Sequence, residues 1–144
     1  MKKAVLVILI SCIGFVSCNI LSPYGKKVNI NPTSEVYYKG DGVTEADAVK
    51  LGQYLLRNKY FDSTTTKSVQ LTKDTIFVVK FVIDETKLKD NPMAEIGFMA
   101  MKFLLQDSVF NGQKIKVILA NTEMKGIKTV EDFGSNSTDS SKAK

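Results

Sequence analysis

The alternation of apolar and polar side chains predicts four strands and one further short one. Residues 34–39 are rich in β-prone side chains, and residues 68–72 alternate between an apolar and a polar face. Residues 75–84 form the strongest candidate, because they are mostly apolar on both faces, as in a central strand. Residues 114–120 alternate again, and residues 125–129 add a short edge strand.

A helical period separates the first two of these strands. Thr44 is placed to cap the first turn, and Asp47 lies three residues later, in the position that completes a capping box. Leu51 and Leu55 then share an apolar face, and the pattern ends near Asn58. We therefore expect an amphipathic helix that packs on a sheet.

A second helical period begins after Asn91, the expected cap, with Pro92 at the first helical position, and it ends near residue 107. Its polar side chains share one narrow stripe, which consists of Glu95, Lys102 and Gln106. Nearly all the remaining circumference is apolar, which is more than a helix buries when it packs on a sheet. Either loops and the C-terminal segment cover the excess, or the excess is a contact surface for another protein. The contact residues expected on it are Phe98, Met99, Met101 and Phe103.

The main elements follow the order β-α-β-β-α-β, which is that of the split-βαβ, ferredoxin-like fold. This α+β arrangement has an antiparallel sheet with both helices on one face, and it predicts a single domain over residues 34–133. The other face of the sheet then shows an apolar centre with Lys80 and Lys116. Such a face is seldom left bare, so we expect it to bind a partner or a second copy, or to be covered by a neighbouring segment.

A second fold is suggested by a local likeness. Tyr60-Phe61-Asp62, two strands and Asp84-Glu85 follow one another in an order similar to that of the polypeptide-transport-associated domains of envelope machinery. Those domains have two helices between their first two strands, and this chain has room for one. The ferredoxin-like order therefore stays the expected fold.

The composition excludes several kinds of chemistry. The chain has no histidine and only two cysteines, Cys12 and Cys18. Catalysis of the Ser-His-Asp and Cys-His kinds needs histidine. A chain cleaved before Cys18 would retain that cysteine alone, which also excludes disulfides within the chain and zinc sites of the usual Cys/His kind. The formal charge is +5, and it falls to +3 without Lys2 and Lys3. Since the remaining lysines are scattered, we expect no nucleic-acid partner, and we expect no cofactor or metal.

Two groups of carboxylates remain as candidates for chemistry: Asp41, Glu45 and Asp47, and Asp84, Glu85 and Asp90. The first group is a fragment of the six or more oxygens that a calcium loop supplies, and a turn followed by a helix cap explains it fully. The second group resembles the paired carboxylates of a hydrolase, although a solvated loop is the simpler interpretation. A hydrolase that uses Asp84, Glu85 or Asp41 is therefore the weakest functional alternative.

The first 17 residues have the pattern of a secretory signal peptide, with a positive start, an apolar middle and small residues at the end. Phe15-Val16-Ser17-Cys18 resembles the lipobox of bacterial lipoproteins, with phenylalanine in place of the usual leucine or valine. The resemblance implies cleavage before Cys18, a diacylglycerol on its sulfur and an acyl chain on its amine. Leu9-Ile10-Ser11-Cys12 also fits, but it leaves a very short apolar core. Ordinary cleavage and an uncleaved anchor are the remaining alternatives.

These features predict a protein bound to the lipid bilayer through acylated Cys18. Residues 18–33 would form the lipidated tether, and residues 134–144 a polar, disordered tail. Because Asn19 lacks the sorting features of related leaders, the expected location is the cell envelope, at the periplasmic side of an outer membrane. The expected function is a non-catalytic protein-interaction module, that is, an accessory subunit, adaptor or inhibitor with a protein partner or as a homodimer. A carrier of a small apolar ligand is the main alternative.

Overall fold

A computed structural model of the chain describes residues 22–132. Its elements are β1 Lys26–Asn31, β2 Ser34–Lys39, α1 Glu45–Arg57, β3 Lys67–Lys73, β4 Phe77–Val82, α2 Glu85–Asp90, α3 Pro92–Ser108, β5 Ile115–Ala120 and β6 Gly126–Val130. The predicted signal peptide, Cys18 and the polar tail lie outside the described residues.

The strands form one mixed sheet in which they lie side by side in chain order. Three hairpins supply the antiparallel neighbours, β1 with β2, β3 with β4, and β5 with β6. The pairs β2–β3 and β4–β5 are parallel. Parallel neighbours need a long crossover, and α1 provides the first one, while α2 and α3 together provide the second.

The predicted α+β class is confirmed, but the ferredoxin-like order and the wholly antiparallel sheet are wrong. Residues 26–31, which were expected to belong to a flexible tether, form β1 and pair with one edge of β2. A split βαβ motif places later strands on both sides of its first strand. Because β1 already occupies one edge of β2, only the other edge remains, and the following strands add there in chain order.

One face of the sheet carries the hydrophobic core. The fully buried strand side chains on this face include Val36, Val69, Leu71, Val79, Phe81, Ile115, Val117 and Leu119. Both long helices cover the same face, as predicted. The Phe98 ring of α3 lies 5.3 Å from the Phe81 ring of β4, and Lys50 of α1 donates a hydrogen bond to the Val109 carbonyl directly after α3.

The sequence explains how α1 begins and how closely it approaches the sheet. Thr44 and Asp47 form the predicted capping box, in which each side chain accepts a hydrogen bond from the other residue's backbone N–H. Gly52 lies in mid-helix, where glycine costs about 1 kcal/mol relative to alanine. A Cβ at this position would lie 2.2 Å from the Cδ1 of Ile30, so glycine allows β1 to pack against the helix.

The helix-free face of the sheet is partly covered by the segment that precedes β1. Gln70 donates a hydrogen bond to the Tyr24 carbonyl at 2.8 Å, and the Tyr24 and Tyr37 rings meet edge to face at 5.8 Å. Partial burial and a hydrogen bond to Glu35 raise the pKa of Tyr37 to about 12. The residues just before the sheet are therefore bound to its surface.

Candidate interaction surface

Helix α3 turns its polar stripe toward the edge of the sheet. Lys102 is only 7% exposed. Its Nζ donates to the Val130 carbonyl of β6 at 3.1 Å and forms an ion pair with Asp132 at 2.7 Å. The hydrogen bond from Lys102 holds the pKa of Asp132 below its ordinary value. Lys128 of β6 pairs with Glu95 in the same way, at 2.6 Å. Together with the packing of Leu105 and Phe98 on the core, these two ion pairs determine which side of α3 faces the sheet.

This rotation leaves an apolar surface exposed, which we call the outer stripe. It consists of Met93, Ile96, Gly97, Ala100, Phe103 and Leu104, which recur every three or four residues along one side of α3. Met93 and Phe103 are each 67% exposed, and Ile96 and Leu104 are nearly half exposed. A helix of a monomeric protein normally buries its large apolar side chains. The outer stripe therefore has the character of a contact surface.

The predicted contact residues of this helix are divided between two sides. Phe98, Met99 and Met101 are half-buried and pack against the core. Phe103 alone of the four lies on the outer stripe. Met93, Ile96 and Leu104 were not among the predicted contact residues, because the sequence pattern does not show which side of the helix faces the sheet. Their spacing on the side opposite Lys102 is the signal that identifies them once that lysine is known to be buried.

The two predicted lysines lie on the helix-free face and are not close to the outer stripe. Lys80 is half-buried, with its Nζ 3.5 Å from the Met124 carbonyl, and Lys116 is exposed. Both belong to the opposite side of the sheet from α3, since their strand neighbours Val79 and Val117 point into the core. The six predicted contact residues therefore do not form one surface.

A cleft of about 350 Å³ opens between the first part of α3, helix α2 and the ends of β3 and β4. Its apolar lining comes mainly from Tyr60, Val82, Ile83, Leu88 and Phe98, and its polar lining from Thr65, Thr66, Lys67, Asp84, Lys87 and Asn91. Burial raises the pKa of Tyr60 far above its ordinary value, so its hydroxyl stays neutral. A space of this size and lining suits a small, mostly apolar molecule.

The candidate carboxylates take part in local structure. Residues 85–90, expected to be a loop, form α2, and Asp84 caps this helix by accepting hydrogen bonds from the Thr86 backbone and hydroxyl. Asp41 lines a different cleft, of about 460 Å³, beside β2. Asp41 and Asp84 are therefore not brought together. Asn91 starts α3, but its side chain makes no capping hydrogen bond, contrary to the expectation.

Among residues 22–132, no group of three or more histidine, cysteine, aspartate or glutamate side chains is arranged to hold a metal ion. None of the helices in that range combines the length and hydropathy that a membrane crossing requires.

The fold and the outer stripe define a class, a small α+β domain with two long helices on one face of a mixed sheet. The chain belongs to the AF_1994_N family, whose model describes a family N-terminal domain and matches residues 27–132. The match begins within β1 and ends after β6, so it includes nearly the whole sheet. Neither a curated protein nor a solved structure matches the chain.

Proposed function

We propose that this protein is a non-catalytic protein-interaction module of the cell envelope and that the outer stripe of α3 is its contact surface. One observation carries the proposal. Helix α3 exposes four large apolar side chains, while Lys102 of the same helix is buried and paired. Burying a lysine needs hydrogen-bond and ion-pair partners to offset its desolvation, so this rotation of the helix is specified rather than incidental.

The composition of the outer stripe supports a protein partner. Protein interfaces are enriched in phenylalanine and methionine at their centres and depleted in charged residues there. The stripe carries both enriched types, and no charged side chain lies on it between Met93 and Leu104. An accessory subunit, adaptor or inhibitor requires a surface of this kind and no reactive groups.

Replacing Phe103 with glutamate is expected to abolish association with the partner while leaving the fold intact. Phe103 is mostly exposed, so the change costs little stability, but a carboxylate placed in an apolar contact must be desolvated there. Association is measured as the native size of the protein in envelope extracts. The unfolding midpoint of the variant shows whether its fold is intact. The matched control is Val49→Glu, which changes an exposed apolar residue of α1 and should leave the complex intact. A monomeric wild type, or equal sensitivity of both sites, would remove the basis of the proposal.

We further propose that the domain is anchored to the membrane through lipidated Cys18, at the outer membrane facing the periplasm. The support is the lipobox resemblance of Phe15-Val16-Ser17-Cys18. Cys18→Ser is expected to abolish labelling by a fatty-acid analogue and to leave an unprocessed precursor, because the modified sulfur is absent. Cys12→Ser is the control and should be labelled normally. Labelling that persists in Cys18→Ser and disappears in Cys12→Ser would assign the anchor to the other cysteine.

A carrier of a small apolar ligand is the second candidate, and the cleft beside α2 favours it. Its volume of about 350 Å³ falls in the range of small-molecule sites, and Tyr60 and Phe98 give it an aromatic wall. Native mass spectrometry of the purified chain tests this function. A bound small molecule that is lost in Leu88→Lys supports it, and an unliganded wild type counts against it.

A further inference from the structure

We propose that the partner of the outer stripe is a second copy of this chain, with the two α3 helices packed antiparallel about a two-fold axis near Ala100. This inference rests on the proposed function, because it identifies the partner of the same surface. Two properties of the stripe support it, the order of large and small side chains and the position of the charge at its end. The area of the stripe sets the expected strength of the contact.

The order of side chains along the stripe is self-complementary. Large residues occupy both ends, and Gly97 and Ala100 occupy the middle. A two-fold rotation about Ala100 places Phe103 of each copy against Gly97 of the other and Ile96 against Leu104. An added Cβ at Gly97 would have no heavy atom within 4 Å, so the space above it is open and can receive a phenyl ring. Such mutual contact of one patch with itself is the geometry of a symmetric dimer.

The charge at the end of the stripe favours the antiparallel direction. Asp107 is exposed and continues the stripe one turn beyond Phe103 and Leu104. The same rotation brings it to Met93 of the second copy, in the first turn of α3. A helix N-terminus carries partial positive charge, and here the Asn91 side chain makes no capping hydrogen bond. The antiparallel pair therefore places the Asp107 carboxylate of one copy near the positive end of the other copy's α3, whereas a parallel pair would bring the two Asp107 carboxylates together.

The area of the stripe suits a weak, reversible dimer. Its four large side chains expose on the order of 400 Å² in each copy, so their pairing buries about 800 Å². This is below the roughly 1,000 Å² of a stable specific interface, so the contact alone is expected to be weak and transient. Attachment of both copies to one membrane would raise their effective concentration and compensate for the small interface.

Position-specific disulfide crosslinking tests the pairing and its direction. In the membrane-bound full chain, which retains Cys18 and so keeps its proposed anchor, Ala100→Cys is expected to form an intermolecular disulfide under mild oxidation that the unsubstituted chain does not form, because position 100 lies near the two-fold axis. Met93→Cys alone should not crosslink, since its symmetry mate lies at the far end of the second helix. A mixture of Met93→Cys and Asp107→Cys chains should crosslink to each other. If the chains associated only through the leader, crosslinking would not depend in this way on the position of the cysteine in α3.

The outcomes separate the two proposals. Equal crosslinking at Ala100 and Met93 overturns the antiparallel pair. If none of these positions crosslinks but Phe103→Glu still dissociates a native complex, the partner is a different protein. The symmetric dimer is then excluded, and the interaction surface is retained. If neither crosslinking nor a Phe103-dependent complex is found, both the dimer and the proposed interaction surface are wrong.

Discussion

Replacing Phe81 with alanine is expected to lower the free energy of unfolding by about 3–5 kcal/mol. Phe81 is fully buried near the end of β4, and its ring lies 5.0 Å from that of Tyr60 and 5.3 Å from that of Phe98. Truncation loses the transfer free energy of the ring and leaves a cavity between the sheet and α3. Since small domains have only about 5–15 kcal/mol of net stability, the variant should be partly unfolded or close to it. Urea unfolding followed by circular dichroism measures the change.

Phe103→Ala is the matched control. It makes the same chemical change on the side of α3 that faces away from the sheet, whereas Phe81 lies on the sheet beneath that helix. Phe103 is mostly exposed, so the loss is expected to stay within about 0.5 kcal/mol. Both variants are measured at a protein concentration too low for association, so that only the free energies of unfolding are compared. A cost at Phe103 equal to that at Phe81 would mean that α3 packs with the opposite side against the sheet, which contradicts the buried position of Lys102.

Gly25→Ala is expected to release the segment before β1 from the helix-free face and to cost on the order of 2–3 kcal/mol. Gly25 has a φ of +103°, and a Cβ there would lie 2.3 Å from the Tyr38 carbonyl oxygen. That oxygen belongs to the backbone of β2, so the added atom displaces the strand pair itself. Gly112→Ala is the control. Its φ of +77° is also unfavourable for alanine, but no atom lies within 4 Å, so only the backbone strain of roughly 1 kcal/mol is expected.

The titration of Tyr37 gives a local measurement of this release. Its pKa is raised to about 12 from an ordinary value of 10.0, chiefly by burial, and Tyr24 contacts its ring. Because the unfolded chain ionises first, the contribution of Tyr37 to stability is complete below pH 10 and is lost as the pH rises toward 12. In Gly25→Ala, tyrosinate absorbance should appear at lower pH. An unchanged titration would show that the segment stays bound despite the substitution.

The elements that follow a strict period could be predicted from the sequence. The capping box of α1 depends on Thr44 and Asp47, which are neighbours in the chain, and the inward side chains of β3 and β4 follow their alternation. The edge strand after residue 125 was also confirmed, as Gly126–Val130. In each case the interactions that decide the structure are local, or they depend only on which face is apolar.

The parts that could not be predicted depend on contacts between distant residues. Strand β1 is polar at most positions and lies between Pro23 and Pro32. Its place is set by pairing with β2 and by Ile30 packing on Gly52. The rotation of α3 is set by Lys102, whose buried charge needs the Val130 carbonyl and Asp132, about thirty residues away in the chain. A helical wheel shows where the polar stripe lies, but it does not show that β6 will offer partners for it. For the same reason, Phe103 alone of the four predicted contact residues on this helix lies on the outer stripe.

The binding of Tyr24 to the helix-free face limits how the domain can be oriented on a membrane. The backbone enters the sheet from that face, whereas the outer stripe belongs to the layer on the other side, so the sheet separates the point of entry from the contact surface. In a dimer joined through α3, the helix-free faces of the two sheets point outward in opposite directions, and each carries the Tyr24 segment of its own chain. If both chains are held by the same bilayer, neither helix-free face can lie flat on it. The plane between the two α3 helices must then cross the membrane surface rather than run parallel to it.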